Sequence, residues 1–79
     1  MKDLKISRDK IDNIDKQIVE LFEKRMNVVK DVADYKIKNK KPILDPLREK
    51  EKIDSLMGLT SNYINKQGIK VLYKQIMAS

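Results

Sequence analysis

The chain contains no cysteine and no histidine. Without cysteine there is no disulfide framework and no thiolate metal site, which suits a reducing compartment. Losing histidine as well removes the usual zinc ligands, the Ser-His and Cys-His nucleophile systems and the commonest proton carrier near neutral pH. Any chemistry must rest on carboxylates, lysines, arginines or positioning alone. Long apolar runs are also missing: Met1-Lys2-Asp3-Leu4-Lys5 is no signal-peptide start, and nothing approaches the length of a bilayer span. The expectation is a soluble, cytoplasmic protein with no membrane partner. Aromatics are few (Phe22, Tyr35, Tyr63 and Tyr73), and they do not interleave with basic residues as a single-strand stacking platform requires.

What remains is 79 residues carrying a net charge of +6. That length makes one domain, and a domain this small buries so modest a fraction of its surface that a partner subunit is a natural expectation. The excess of lysine and arginine favours an anionic partner. From Leu4 to about Lys38 there is no proline or glycine, and apolar residues fall on heptad lines: Leu4, Ile11, Ile18 and Val32, then Ile14, Leu21, Val28 and Tyr35. One long helix of roughly 35 residues spans about 50 Å. A compact globule of this chain length is only roughly 30 Å across. The helix outruns its own monomer, so its stripe calls for a second chain, most simply in a two-fold dimer.

Asn39-Lys40-Lys41-Pro42 ends that helix, because proline disfavours helical geometry in the residue before it. Asp45-Pro46 then supplies an N-cap carboxylate and a proline at the first helical position, beginning a second helix that runs to about Met57 with Gly58 as its stop. After Thr60-Ser61-Asn62, the spacing of Ile69, Leu72, Tyr73 and Ile76 marks a third helix whose start Gly68 blurs. The expected fold is all-α, a three-helix protomer with one long N-terminal helix in an intertwined dimer. The third helix reaches Ala78-Ser79 without a glycine cap, breaker or polar tail, so it reads as cut, and residues 1–79 as one domain of a longer polypeptide or a naturally abbreviated protein.

Charges interrupt the apolar pattern. Projected at about 100° per residue, Ile11, Ile14, Ile18, Phe22, Val29 and Val32 share a sector, and Arg25 and Lys36 fall in its middle, with Arg8 at its edge. In the second helix Glu49 lines up with Ile53 and Leu56. Each has a bland explanation. Arg25 can bury its stem and lift its guanidinium out. Lys36 suits the last turn of a helix and Glu49 the first, through the helix dipole. Asp45 is most cheaply an N-cap, and Asp12 and Asp15 face solvent, with Asp12 expected to pair with Lys16. Together, however, the inward cations outnumber the inward carboxylates, and an uncompensated buried charge is costly, so a small polyanion fits the face. The run Lys36, Lys38, Lys40, Lys41 is mostly a solvated helix end.

These motifs resemble the all-α chorismate mutases over essentially the whole chain: Arg8 ahead of Ile11-Asp12-Asn13-Ile14-Asp15, then Ile18 through Arg25, then Val32-Ala33-Asp34-Tyr35-Lys36, then Pro42 through Lys50. The resemblance implies a dimer of crossed long helices that converts chorismate to prephenate in phenylalanine and tyrosine biosynthesis, with no cofactor, no metal and no nucleic acid. Arg25 corresponds to the arginine that binds a substrate carboxylate, and Arg8 to the one reaching across the interface for the other carboxylate. Lys36 corresponds to the donor to the ether oxygen and Glu49 to the acceptor from the substrate hydroxyl, with Asp45 and Arg48 in the pocket wall. One departure stands out: the family's third-helix glutamine or glutamate falls several residues beyond Ser79, and neither Gln67 nor Gln75 matches it.

Three rival readings remain at this point. A pyruvate lyase acting on isochorismate uses a similar cationic pocket, and product analysis separates the two. A regulatory domain binding chorismate or prephenate within a larger shikimate-pathway enzyme keeps the fold without the chemistry. A basic adaptor for nucleic acid or protein predicts strongly salt-dependent binding, which inward-facing cations do not favour.

Overall fold

The computed structural model describes residues 4–78. The readings of the chain's first three residues and of its end at Ser79 lie outside the described residues. The order is α1 (Leu4–Lys38), α2 (Pro46–Met57) and α3 (Tyr63–Ala78), and the described residues form no strand. The chain divides into two units, residues 1–43 and residues 44–79.

The first unit is α1 and its exit. Thirty-five helical residues without a breaker are continuous, as the periodicity requires. None of them is buried within the single chain. The stripe residues Ile11, Ile14 and Ile18 remain 54%, 53% and 54% exposed. The more sheltered positions, Arg25, Met26, Ala33 and Lys36, lie in the second half of the helix; Arg25 and Lys36 fall in the projected sector, and Met26 and Ala33 stand roughly 60–80° to one side of its centre. Asp12 does not pair with Lys16; the only ion pair among the described residues is Lys5 with Asp9, at 3.5 Å. Exposed pairs of this kind gain too little Coulomb energy to hold one geometry against side-chain entropy, so which pair forms carries little stability.

The helix does not stop at proline alone. Lys40 N–H donates to Ile37 O at 3.2 Å and Lys41 N–H to Lys36 O at 2.8 Å, with Lys40 at φ 55°. This is a Schellman turn, in which a left-handed residue turns the chain back to satisfy the last carbonyls. Asn39 adds two bonds to the Tyr35 carbonyl, from its backbone N–H at 3.0 Å and its side-chain Nδ2 at 2.8 Å.

The second unit is a helical hairpin with a small core of its own. At its start Arg48 N–H donates to Asp45 Oδ1 at 3.1 Å, the expected N-cap, with Pro46 in the first turn where its missing N–H costs nothing. Glu49, Ile53 and Leu56 follow one line down α2; Ile53 is buried, 8% exposed, and the other two are half-buried. On α3 the half-buried residues are Lys66, Ile69, Tyr73, Ile76 and Met77, the spacing of one helix face. Asn62 caps α3 by accepting Asn65 N–H at 3.0 Å, which fixes the start that Gly68 had blurred and leaves Gly68 inside the helix.

Gly58 ends α2 as expected but not by turning left-handed: its φ is −68°. A Cβ there would meet the Ser55 carbonyl at 3.3 Å, so glycine relieves crowding and not a dihedral restriction. Beside it Lys66 Nζ donates to the Met57 carbonyl at 2.8 Å, joining α3 to the end of α2 through a part-buried cation at the negative pole of that helix.

Candidate active site

Six side chains were singled out from the sequence, and each unit holds three. Arg8, Arg25 and Lys36 stand on α1; Asp45, Arg48 and Glu49 occupy the cap and first turns of α2. Arg25 and Lys36 are eleven residues apart, so they lie within about 20° of each other around the helix and about 16 Å apart along it. Both are half-buried, as is Glu49, whereas most of the chain is exposed. Arg8 is exposed and seventeen residues before Arg25, a separation of about 25 Å on a straight helix. The two arginines of one α1 therefore do not meet at a single small ligand.

The electrostatics follow from what these groups lack. Among the described residues neither Arg8, Arg25 nor Arg48 forms an ion pair, and Lys36 has no carboxylate within reach. Lys36 Nζ instead donates to the Ile43 carbonyl at 3.4 Å, a contact the sequence did not signal. A carbonyl offsets part of the desolvation of an ammonium without cancelling its charge. The face thus presents cations that an anionic ligand can still neutralise.

In α2 the cap locks its own neighbourhood. Asp45 accepts from Arg48 N–H through Oδ1 and from Glu49 N–H through its backbone carbonyl at 3.1 Å. Asp45 is thereby an N-cap in fact, with one carboxylate oxygen engaged. Arg48 is exposed at the helix start, while Glu49 sits on the line of Ile53 and Leu56, where its half-buried carboxylate accepts no hydrogen bond among the described residues. Among the same residues no group of three or more histidine, cysteine, aspartate or glutamate side chains is placed to hold a metal ion. No helix is long and apolar enough to cross a membrane.

An all-helical chain with unneutralised cations on a long helix, and a carboxylate on the packed line of a second, defines a class of helical domain with charge left for a small anion and with neither cysteine nor histidine. Comparison with known proteins makes it specific. The model of the chorismate mutase type II family matches residues 7–79, and the chain belongs to that family. It is 37% identical over 70 residues to the chorismate mutase of Methanocaldococcus jannaschii, covering 89% of this chain and 71% of that protein. It is 42% identical over 76 residues to a bifunctional chorismate mutase/prephenate dehydratase of Buchnera aphidicola from Schizaphis graminum, and 40% identical over 75 residues to its counterpart from Acyrthosiphon pisum. These matches cover 95% and 94% of this chain, but the chain spans only 20% of either Buchnera protein. No solved structure matches the chain.

Proposed function

We propose that this chain is an isomerase that converts chorismate to prephenate in the cytoplasm, as one domain working in a two-fold dimer. The observation that carries the reading is the family match, which spans every residue assigned below. The reaction is a unimolecular pericyclic rearrangement: an ether C–O bond breaks as a new C–C bond forms, with no proton transfer and no covalent intermediate. A chain lacking cysteine and histidine is not handicapped by that chemistry.

The residues take the roles their positions suggest. Arg25 binds one substrate carboxylate and Arg8 of the other protomer binds the second, an orientation that selects the compact reactive conformer. Lys36 stabilises the charge growing on the ether oxygen as a cation already in place. Glu49 accepts from the substrate hydroxyl, and Asp45 and Arg48 line the adjoining wall. Two facts support the shared site: α1 buries no residue by itself, and about 25 Å separate Arg8 from Arg25 along it. A second copy of α1 crossing the first covers the stripe and returns an Arg8 to each site.

The test is chorismate turnover by the purified chain with the product identified, beside Lys36→Ala. Removing a preorganised charge at a reacting oxygen lowers kcat on the order of 10²- to 10³-fold. Prephenate formed by the chain and lost in the variant is the expected result; absence of turnover both by the chain and by a version with α3 extended by about two to three turns overturns the reading, and pyruvate released from isochorismate assigns the lyase instead.

A further inference from the structure

The exit of α1 does more than end a helix. Termination requires only that the last carbonyls find donors, and the backbone bonds from Asn39, Lys40 and Lys41 supply those. Yet the same segment returns to a single residue and holds it at both ends. The Lys36 carbonyl accepts Lys41 N–H at 2.8 Å, and the Lys36 ammonium donates to the Ile43 carbonyl at 3.4 Å. Lys40 makes the return possible by adopting φ 55°, a conformation sterically disfavoured for any residue with a Cβ. Pro42, with its ring-locked φ, then removes most of the freedom between Lys41 and Ile43.

The neighbouring side chains brace the turn and not the ammonium. Tyr35 O takes both donors of Asn39, and the Lys41 ammonium lies 5.2 Å from the centroid of the Tyr35 ring, with its Nζ 3.5 Å from the hydroxyl. A free lysine side chain populates many rotamers, and ordering one when a ligand arrives has an entropic cost. An ammonium has three donors, so one long bond to Ile43 at 3.4 Å biases its direction and leaves two donors for a ligand. A carboxylate at the same place would have oriented the lysine too, but it would have cancelled the charge.

We propose that the Asn39–Ile43 turn is a positioning device for Lys36: it preorders the ammonium through the Ile43 carbonyl so that the full charge meets the reacting ether oxygen without rearrangement. The inference rests on the mutase reading, and in it the turn acts through Lys36 and not on the substrate itself. A preordered cation acts on the rate of the chemical step, whereas the carboxylate-binding arginines govern affinity. Loosening the turn therefore lowers kcat and leaves KM nearly unchanged.

The experiment compares Lys40→Val, which the left-handed position rejects, with Lys40→Gly, which accepts it, in steady-state kinetics on chorismate with helicity followed by circular dichroism. Displacing a catalytic group by an ångström or so is expected to reduce kcat on the order of tenfold in Lys40→Val. KM should stay within about twofold, and Lys40→Gly should restore kcat because the turn survives. Pro42→Gly, which slackens the link at a different point, carries the test if Lys40→Val does not fold. An active unaltered chain with kcat unchanged in the folded variants overturns the positioning role alone, as does an equal loss in Lys40→Gly and Lys40→Val, which would implicate the lysine's charge. Inactivity of the chain both as it stands and with α3 extended overturns the mutase reading and this inference with it.

Discussion

The two halves of this chain solve the problem of burying apolar surface in opposite ways. The α2–α3 hairpin has a buried Ile53, helix caps at Asp45 and Asn62, and a lysine on the α2 terminus. The long helix α1 has more apolar side chains than either partner of the hairpin and buries none. An isolated helix is held in water only weakly by its own hydrogen bonds, because most helical stability in proteins comes from packing of the apolar face. The hairpin is thus a local structure, whereas α1 finds no cover for its apolar face within the single chain; under the proposed dimer a second α1 supplies that cover. Of the side chains proposed for the site, Arg8, Arg25 and Lys36 stand on the long helix, whereas Asp45, Arg48 and Glu49 stand at the start of the hairpin.

The strongest way to break this comparison is to place a charge on the α1 stripe. Ile18→Asp should be nearly silent, within about 0.5 kcal/mol, if Ile18 faces solvent in solution. If a second α1 covers it, an unpaired carboxylate is forced into an apolar interface at a cost of about 3 kcal/mol or more. We expect the second result: sedimentation equilibrium should show monomer, and the far-ultraviolet helical signal should fall. Ile53→Ala probes the other half. It removes the buried side chain of a thin core, so a loss of about 2 kcal/mol, at the low end for such truncations, is expected, with Tm down by roughly 10 °C. Sedimentation at a temperature where both proteins are folded should leave the oligomeric state unchanged, because the hairpin core is local.

A smaller effect separates architecture from chemistry at Asp45. Asp45→Ala removes the acceptor for Arg48 N–H and should cost about 1 kcal/mol in thermal unfolding. Asp45→Asn retains that acceptor and discards the charge. Unchanged stability with altered KM in the asparagine variant would give the carboxylate a role in the substrate pocket, whereas unchanged kinetics would leave it a cap alone.

The helices were legible because their signals are local: a breaker-free heptad run for α1, and Asp45-Pro46 followed by Gly58 for α2. The line Glu49, Ile53, Leu56 and the sector holding Arg25 and Lys36 were legible for the same reason, since angular position depends only on spacing. What stayed hidden depends on backbone conformation or on approach through space. The left-handed residue is Lys40, although its neighbour Asn39 is the type that tolerates that region better, and Gly58, the natural candidate, does not use it. The bonds from Lys36 to Ile43 and from Lys66 to Met57 cross the turns that follow α1 and α2, joining residues that do not share a helix, so no helical periodicity records them.

The subtlest probe of the comparison is Gly68→Ala. Gly68 lies inside α3 with nothing within 4 Å of where a Cβ would stand, on the outer face between the exposed Ile64 and Val71. Glycine in an exposed helix interior is less favourable than alanine by about 1 kcal/mol, because it loses more backbone freedom on folding and packs nothing in return. If the hairpin is self-sufficient and its outer face is open, alanine should stabilise the chain by about 0.5–1 kcal/mol and raise Tm by a few degrees. A fall in Tm would mean that another backbone approaches α3 closely enough to exclude a methyl group. The outer stripe of Ile64 and Val71 would then call for cover as that of α1 does, and the division into a half that covers its apolar face and a half that does not would have to be redrawn around both faces of α3.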